Sequence, residues 1–199
     1  MQSNFFKPAD LIFCGVKPGE SSLILPMEQT PGEGPSYANH VAGFIDSDNV
    51  VEALIKVKRH RWFELETPFQ VWRQRTMSME TRIKVAHIAE SFVGDEYGWW
   101  KLLGHATDWS LSWLLNWFTL GKVKKEVFFT RRLFFIDSRP ICSWVWAEAY
   151  AKGYGISFGH VPYQQITPDH MHDYVNKSVY WEKIYDTDDF DCDLVETEE

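Results

Sequence analysis

The feature that most constrains the fold is a pair of apolar segments, residues 37–45 and 50–57, separated by the polar run DSDN at 46–49. Two apolar runs joined by such a turn-forming sequence predict a β-hairpin, and therefore two adjacent antiparallel strands. A third apolar run, at residues 11–16, predicts a buried strand. A loop rich in glycine and proline at 17–36 connects that strand to the hairpin. The centre of the sheet is therefore expected to be antiparallel.

The predicted helices follow the hairpin and do not alternate regularly with strands. Their caps place one helix from Ser78 to Gly94, one opened by Ser138 and Pro140 and ended by Gly153, and a short one after Thr167-Pro168. Residues 128–136 and 179–185 predict extended segments, whereas 95–126 are aromatic and irregular. This order predicts an α+β fold in which an antiparallel sheet packs against helices. No linker or repeat interrupts residues 1–185, which are expected to form one domain.

The negative charge of the chain is concentrated at its C-terminal end. The net charge is −8 over 199 residues, but residues 186–199 contain eight acidic residues and no basic residue. Without this predicted acidic tail, the body has equal numbers of acidic and basic side chains. A neutral body lacks the clustered basic face that nucleic acids require, so no nucleic-acid partner is expected.

The cysteine content and the N-terminal sequence exclude further classes. Three cysteines without a CxxC pair predict neither a disulfide framework nor a zinc ribbon, and we expect no metal site and no cofactor. No signal peptide is visible, and no apolar stretch is long enough to span a bilayer. A cytoplasmic location is therefore expected, with other routes of export left open. Nothing in the sequence indicates an oligomeric state.

Three residues in these elements have chemistry that suggests a site. Cys142 falls in the first turn of a predicted helix, where free N–H groups and the helix dipole favour a thiolate. A cysteine at this position is equally typical of a structural residue on a buried helix face. His40 lies in an apolar strand and needs either a core hydrogen-bond partner or a catalytic role. Glu52, on the return strand, shares a face with His40 only if the hairpin loop has an odd number of residues, such as 46–48, or if a bulge is present.

Several motifs together resemble a known family, the circularly permuted NlpC-type papain-like cysteine hydrolases. This family includes the YiiX-like proteins and, more distantly, the lecithin retinol acyltransferases. The matching segments are YANHVAGFI at 37–45 with VVEA at 50–53, ICSWV at 141–145, PADLIF at 8–13, GDEYGW at 94–99 and ITPD at 166–169. They occur in the family's order and span nearly the whole chain. The histidine precedes the cysteine, which is the reverse of the order in papain and defines the permutation. Ala9 stands where the family has glycine.

The resemblance implies roles for individual residues. Cys142 corresponds to the nucleophile, His40 to its base and Glu52 to the residue that orients the base. Tyr97 occupies the position of a tyrosine that approaches the oxyanion. Further residues expected to line the substrate cleft are Tyr37, Trp99 and Trp100.

The implied function is a cysteine-dependent amidase or peptidase that forms an acyl-enzyme on Cys142, with peptidoglycan peptides as the first substrate to consider. Two alternatives stay open. One is a lipid-directed acyltransferase or phospholipase-like thiol enzyme acting on a lipid amide or ester. The other is an inactive binding domain that retains the same fold and cleft.

The chain departs from the family by a tryptophan-rich insertion at residues 99–125. Trp109, Trp113 and Trp117 recur every fourth position and would form one stripe on a helix. Such a stripe packs on its own domain, covers the cleft, binds a sugar ring or lies on a membrane surface. For the membrane surface, the lysines at 122, 124 and 125 would contact the headgroups.

Overall fold

A computed structural model describes residues 5–16, 37–119, 140–159, 162–163 and 166–188, without the side chains of 99–106 and 109. Six strands of the described residues form one antiparallel sheet. They are β1 (Leu11–Cys14), β2 (His40–Phe44), β3 (Asn49–Ala53), β4 (Val57–Arg61), β5 (Phe69–Gln74) and β6 (Trp181–Asp186). Their order across the sheet is β4-β3-β2-β1-β5-β6, so the first strand of the chain lies near the centre. The predicted α+β class with an antiparallel sheet is confirmed.

The part of the chain that the structure describes also contains four α-helices and one short 3-10 helix at Trp62–Glu64. The α-helices are α1 (Met79–Glu90), α2 (Trp99–Phe118), α3 (Cys142–Tyr154) and α4 (Pro168–Lys177). Two of the predicted caps are confirmed: the hydroxyl of Ser78 accepts from the N–H of Thr81, and that of Thr167 from the N–H of His170. Helix α2 corrects the prediction of an irregular segment at 95–126.

The boundaries of α3 differ from the prediction at both ends. Ile141 is the N-cap and Cys142 the first helical residue, so Pro140 precedes the helix instead of lying in its first turn. Ser138 lies outside the described residues. The helix continues through Gly153 to Tyr154. Gly155, which has a positive φ of 78°, caps its C-terminal end. Gly153 serves packing, because a Cβ there would lie 2.6 Å from Cγ2 of Val85 in α1.

Strand and helix ends elsewhere also shift from the predictions. Strands β4 and β5 were not predicted: the second arm of the hairpin ends at Ala53, and the chain turns back to form β4 from Val57. Helix α1 ends four residues before Gly94. Strand β6 includes Asp186, one residue past the predicted domain boundary. The segment at 128–136 lies outside the described residues, and so do 189–199 of the predicted acidic tail.

Helix α3 packs directly on the middle of the sheet. Trp146 of α3 is fully buried, donates from Nε1 to the carbonyl oxygen of Val51 (3.0 Å) and lies against Gly43 of β2. A Cβ at Gly43 would lie 2.6 Å from the Trp146 ring, so the close approach of helix and strand requires glycine there. The opposite face of the sheet is covered by a smaller cluster that includes Phe6 and Phe44. This packing fixes the N-terminus of α3 relative to the strands.

Candidate active site

The hairpin β2–β3 places His40 and Glu52 on the same side of the sheet. In the paired strands, Ala42 lies opposite Glu52 and Phe44 opposite Val50. A hydrogen bond between Ile45 and Asn49 closes the hairpin, so its loop consists of the three residues 46–48. The odd loop that the sequence analysis required is therefore present. Asp46 holds it, because its Oδ1 accepts hydrogen bonds from the backbone N–H groups of Asp48 (2.8 Å) and Asn49 (2.7 Å).

His40 lies between a carboxylate and a thiol. Its Nε2 is 2.8 Å from Oε2 of Glu52, and its ring also interacts with the thiol of Cys142. The structure thus brings together the three residues, from β2, β3 and the start of α3, that the sequence analysis singled out.

The surroundings of Cys142 favour its thiolate. Burial on its own would raise the pKa of this thiol. The positive charge and hydrogen bond of His40, with backbone N–H groups of Val41 and Ser143 that point at the sulfur, outweigh burial and lower the pKa. The Ser143 N–H is one of the free donors of the first turn of α3. These contacts favour the thiolate of Cys142 over the thiol, in comparison with an ordinary cysteine.

His40 and Glu52 show the matching shifts. Burial would lower the pKa of His40, but the sulfur of Cys142 and the carboxylate of Glu52 raise it well above its usual value. Burial would raise the pKa of Glu52, but the hydrogen bond and charge of His40 lower it. Each shift favours the charged form of its group: the thiolate of Cys142, the imidazolium of His40 and the carboxylate of Glu52.

A cavity of about 650 Å³ opens onto these residues. Tyr97 lines it, held by its backbone N–H, which donates to the carbonyl oxygen of Ile55 (3.1 Å). Apolar contacts are offered by Leu54, Ile55 and Leu65. A volume of this size fits a peptide side chain or a short acyl group in reach of the sulfur.

The other predicted cleft residues are placed differently. Tyr37 stacks on His172, with ring centroids 5.2 Å apart, and is absent from the described residues that line the cavity. The side chains of Trp99 and Trp100 lie outside the described residues, although their backbone starts α2.

Two residues of this region were missed by the sequence analysis. Cys14, at the end of β1, is the cross-strand partner of His40 and lines the same cavity. Burial raises the pKa of its thiol, against opposing effects of His40 and of a hydrogen bond with Thr67. His60, on β4, lies with Nε2 2.8 Å from Oε1 of Glu52. The register of paired strands is the signal that would have placed both residues beside the site.

Two further properties concern metals and membranes. Among the described residues, no group of three or more His, Cys, Asp or Glu side chains is arranged to hold a metal ion. No helix within those same residues has the length and apolar character needed to cross a bilayer.

The arrangement of sheet and helices defines a YiiX-like α+β fold. The chain is similar to the crystal structure of the metalloprotein YiiX from Escherichia coli O157:H7, a DUF1105 protein, with a TM-score of 0.55 and 15% sequence identity. The alignment covers 90% of this chain and 97% of YiiX. No family model and no curated protein matches the sequence. At this identity the similarity shows the fold alone, so the activity has to be argued from the site.

Proposed function

We propose that the protein is a cysteine-dependent amidase or peptidase of the circularly permuted papain-like kind, which forms an acyl-enzyme on Cys142. The observation that supports this most directly is the grouping of Cys142, His40 and Glu52, in which His40 is bonded to Glu52 and interacts with the thiol of Cys142. Nucleophile, base and orienting carboxylate come from three separate elements, and all three residues line one cavity.

Acylation uses the charges already present in the resting site. The Cys142 thiolate attacks the carbonyl carbon of the substrate and forms a C–S bond. As the tetrahedral intermediate collapses, the C–N bond breaks and the His40 imidazolium gives its proton to the leaving nitrogen. Glu52 keeps the imidazole ring oriented through Nε2 during this transfer.

Deacylation reverses the role of His40. The neutral imidazole takes a proton from water, which attacks the thioester carbonyl; the C–S bond then breaks and the thiolate–imidazolium pair is restored. The negative oxygen that develops in both steps needs donors close to the sulfur. We assign this role to the backbone N–H of Cys142 and the hydroxyl of Tyr97, which lines the same cavity.

The substrates we propose are peptides, with peptidoglycan peptides first. The reason is the sequence resemblance to the NlpC-type hydrolases. The apolar walls at Leu54, Ile55 and Leu65 suit an aliphatic side chain on the acyl side of the cleaved bond.

Differential alkylation tests the proposed nucleophile without knowledge of the substrate. Because the pKa of Cys142 is lowered, its thiolate forms at a lower pH than that of an ordinary cysteine, whose pKa is about 8.5. Cys14 has a raised pKa and stays protonated at neutral pH. As pH is raised, iodoacetamide should therefore label Cys142 before Cys14, so that Cys142 is modified at a pH where Cys14 stays intact, as read by peptide mass spectrometry.

Cys14 is a matched internal control, since it lines the same cavity and differs in the direction of its pKa shift. His40→Gln removes the imidazolium and should raise the pH that is needed to label Cys142. Equal labelling of both cysteines at every pH, or unchanged labelling in His40→Gln, would contradict the proposal.

A second candidate function, a lipid-directed acyltransferase or phospholipase, has its own supporting observation. Helix α2 exposes apolar side chains near its C-terminal end, with exposed fractions of 57% for Trp113, 68% for Trp117 and 68% for Phe118. Exposed aromatic residues on one helix suit the boundary between lipid headgroups and acyl chains. The side chain of Trp109 is outside the described residues.

Vesicle co-sedimentation separates the two candidate functions. A lipid-directed enzyme should bind vesicles that contain phosphatidylglycerol, and Trp113→Ala with Trp117→Ala should weaken this binding at least about tenfold, because two rings that would insert into the vesicle surface are lost. Tyr180→Ala removes an exposed aromatic ring far along the chain from α2 and serves as the matched control. Absence of binding to anionic vesicles would leave the peptide-directed function in place and end the lipid-directed one.

A further inference from the structure

One buried acceptor in the wall of the candidate active site has no role in the proposed reaction. Asn39 lines the cavity together with His40 and Cys142. Its side-chain Oδ1 is shielded from solvent and has no hydrogen-bond partner among the residues that the structure describes. We propose that Asn39 binds the substrate by accepting, at Oδ1, a hydrogen bond from an N–H group on the acyl side of the cleaved bond. This inference rests on the proposed cysteine nucleophile and narrows its substrates to acyl groups that carry such an N–H.

The backbone places Asn39 beside the reacting atoms. Asn39 directly precedes β2, and its main-chain N–H donates to the carbonyl oxygen of Cys14 in β1 (3.0 Å). The next residue is His40, and the N–H of Val41 points at the sulfur of Cys142. Two steps along an extended backbone cover about 7 Å. A substrate carbonyl at the sulfur therefore brings the neighbouring atoms of its acyl group within reach of the Asn39 side chain.

An amide oxygen without a partner favours a ligand at this position. A carbonyl oxygen taken out of water loses its hydrogen bonds, and the great majority of buried polar side-chain atoms recover a partner. The main-chain bond to Cys14 already holds the backbone of Asn39, which leaves the side chain available for binding. The torsion that orients a terminal amide is broad, so a small rotation turns Oδ1 towards a donor in the cavity. A substrate N–H supplies the missing partner.

Other polar side chains of the cavity wall have different surroundings. Glu52 is bonded to the histidine of the site, and the hydroxyl of Tyr97 is assigned to the developing oxyanion. Glu64 and Glu66 also line the cavity, but both are exposed, so water solvates their carboxylates. Asn39 differs from these residues because its acceptor is neutral, buried and next to the base of the reaction.

The chemistry of this acceptor selects among the substrates. In a peptide, the residue that becomes the acyl group carries an N–H on its α-carbon, whereas a fatty acyl chain has no such donor. A site that is built to bind a donor rejects an analogue without it, because the buried acceptor then stays unpaired. The apolar walls at Leu54 and Ile55 accommodate an aliphatic group in either case. Asn39 therefore favours peptidyl substrates over lipid acyl groups.

Two activated esters that differ in one group test the acceptor. The p-nitrophenyl ester of N-acetyl-L-alanine carries the N–H, and that of O-acetyl-L-lactic acid has an oxygen atom in its place. In each case the thiolate of Cys142 forms a thioester and p-nitrophenolate leaves, so the rate in Cys142→Ala gives the background. We expect kcat/KM of the unmodified protein to be about tenfold higher for the alanine ester, which is the usual effect of one neutral hydrogen bond.

Three variants assign this preference to one side chain. Asn39→Leu keeps the size of the side chain but has no acceptor, and the ratio of the two kcat/KM values should fall to about one. Asn39→Asp keeps an acceptor oxygen and should retain the preference. Asn176→Ala, at an exposed asparagine in the last turn of α4, is the matched control and should have the ratio of the unmodified protein. Thermal unfolding shows whether each variant is folded.

Each outcome supports or overturns the inference. Loss of the preference in Asn39→Leu, with retention in Asn39→Asp, supports it. An unmodified protein that does not distinguish the two esters overturns it, and this result needs no variant to fold. A ratio that survives in Asn39→Leu, or that is lost equally in Asn39→Asp, also overturns it, because Oδ1 is then not the acceptor. If the unmodified protein is acylated by neither ester, the proposed function itself fails, and that result is distinct from the others.

Discussion

Replacing Cys142 with alanine should abolish turnover and leave the fold unchanged. The sulfur is the attacking atom, and loss of the nucleophile in a comparable triad lowers kcat by about 10⁴- to 10⁶-fold. The side chain removed is small and lies at the first turn of α3, whose position is fixed by Trp146 against Gly43. The unfolding temperature should therefore change little.

Two substrates make this test specific. With p-nitrophenyl acetate, the unmodified protein should release p-nitrophenolate and carry an acetyl group on Cys142, and Cys142→Ala should do neither. With peptidoglycan peptides, cleavage should disappear in the same variant. Cys192→Ser changes a cysteine in the acidic C-terminal segment and should retain both activities. Activity that survives in Cys142→Ala would remove the acyl-enzyme from the proposal.

The geometry between His40 and Glu52 could be predicted because it depends on local rules. The run at 46–49 marks a turn, and strand alternation makes the parity of the loop decide whether the two side chains share a face. The structure shows the three-residue loop, held by Asp46. No long-range information was needed for this part of the site.

Strand β4 could not be predicted because its sequence does not look like a strand. It reads VKRHR and buries only Val57, since it lies at the edge of the sheet and one of its sides faces solvent. Charged side chains are typical of edge strands, which they protect from pairing with other chains. His60 was missed for the same reason: within a charged run it resembles a solvated residue, and only the register with β3 places it on Glu52.

Helix α2 and Cys14 illustrate two other limits. Residues 95–126 were interpreted as irregular, although 99–118 form a helix. Cys14 carries no local signal at all, because its proximity to His40 results from the pairing of β1 with β2. Contacts between strands distant in sequence depend on sheet order, which the apolar periodicity of single segments does not encode.

The largest effect on stability is expected at Asp10, which precedes β1 and is fully buried. Its carboxylate accepts hydrogen bonds from Arg73 Nε (3.0 Å), Arg82 Nη1 (3.0 Å) and the backbone N–H of Lys7 (2.8 Å). Arg73 belongs to β5 and Arg82 to α1, so one buried anion connects the sheet to a helix. Because Arg82 is also buried, loss of the anion leaves a guanidinium without its counter-charge in a site shielded from water.

Asp10→Asn keeps the size of the side chain but removes its charge, and we expect it to lower the free energy of unfolding by about 3–5 kcal/mol. Urea denaturation followed by tryptophan fluorescence measures this loss directly. Asp173→Asn is the matched control, because Asp173 forms an exposed ion pair with Lys177 on α4, and such pairs contribute less than about 1 kcal/mol. If the two substitutions cost the same, the buried anion does not hold α1 to the sheet. A large difference would instead show that this ion cluster stabilises the scaffold that positions β1 and β2, and with them the candidate active site.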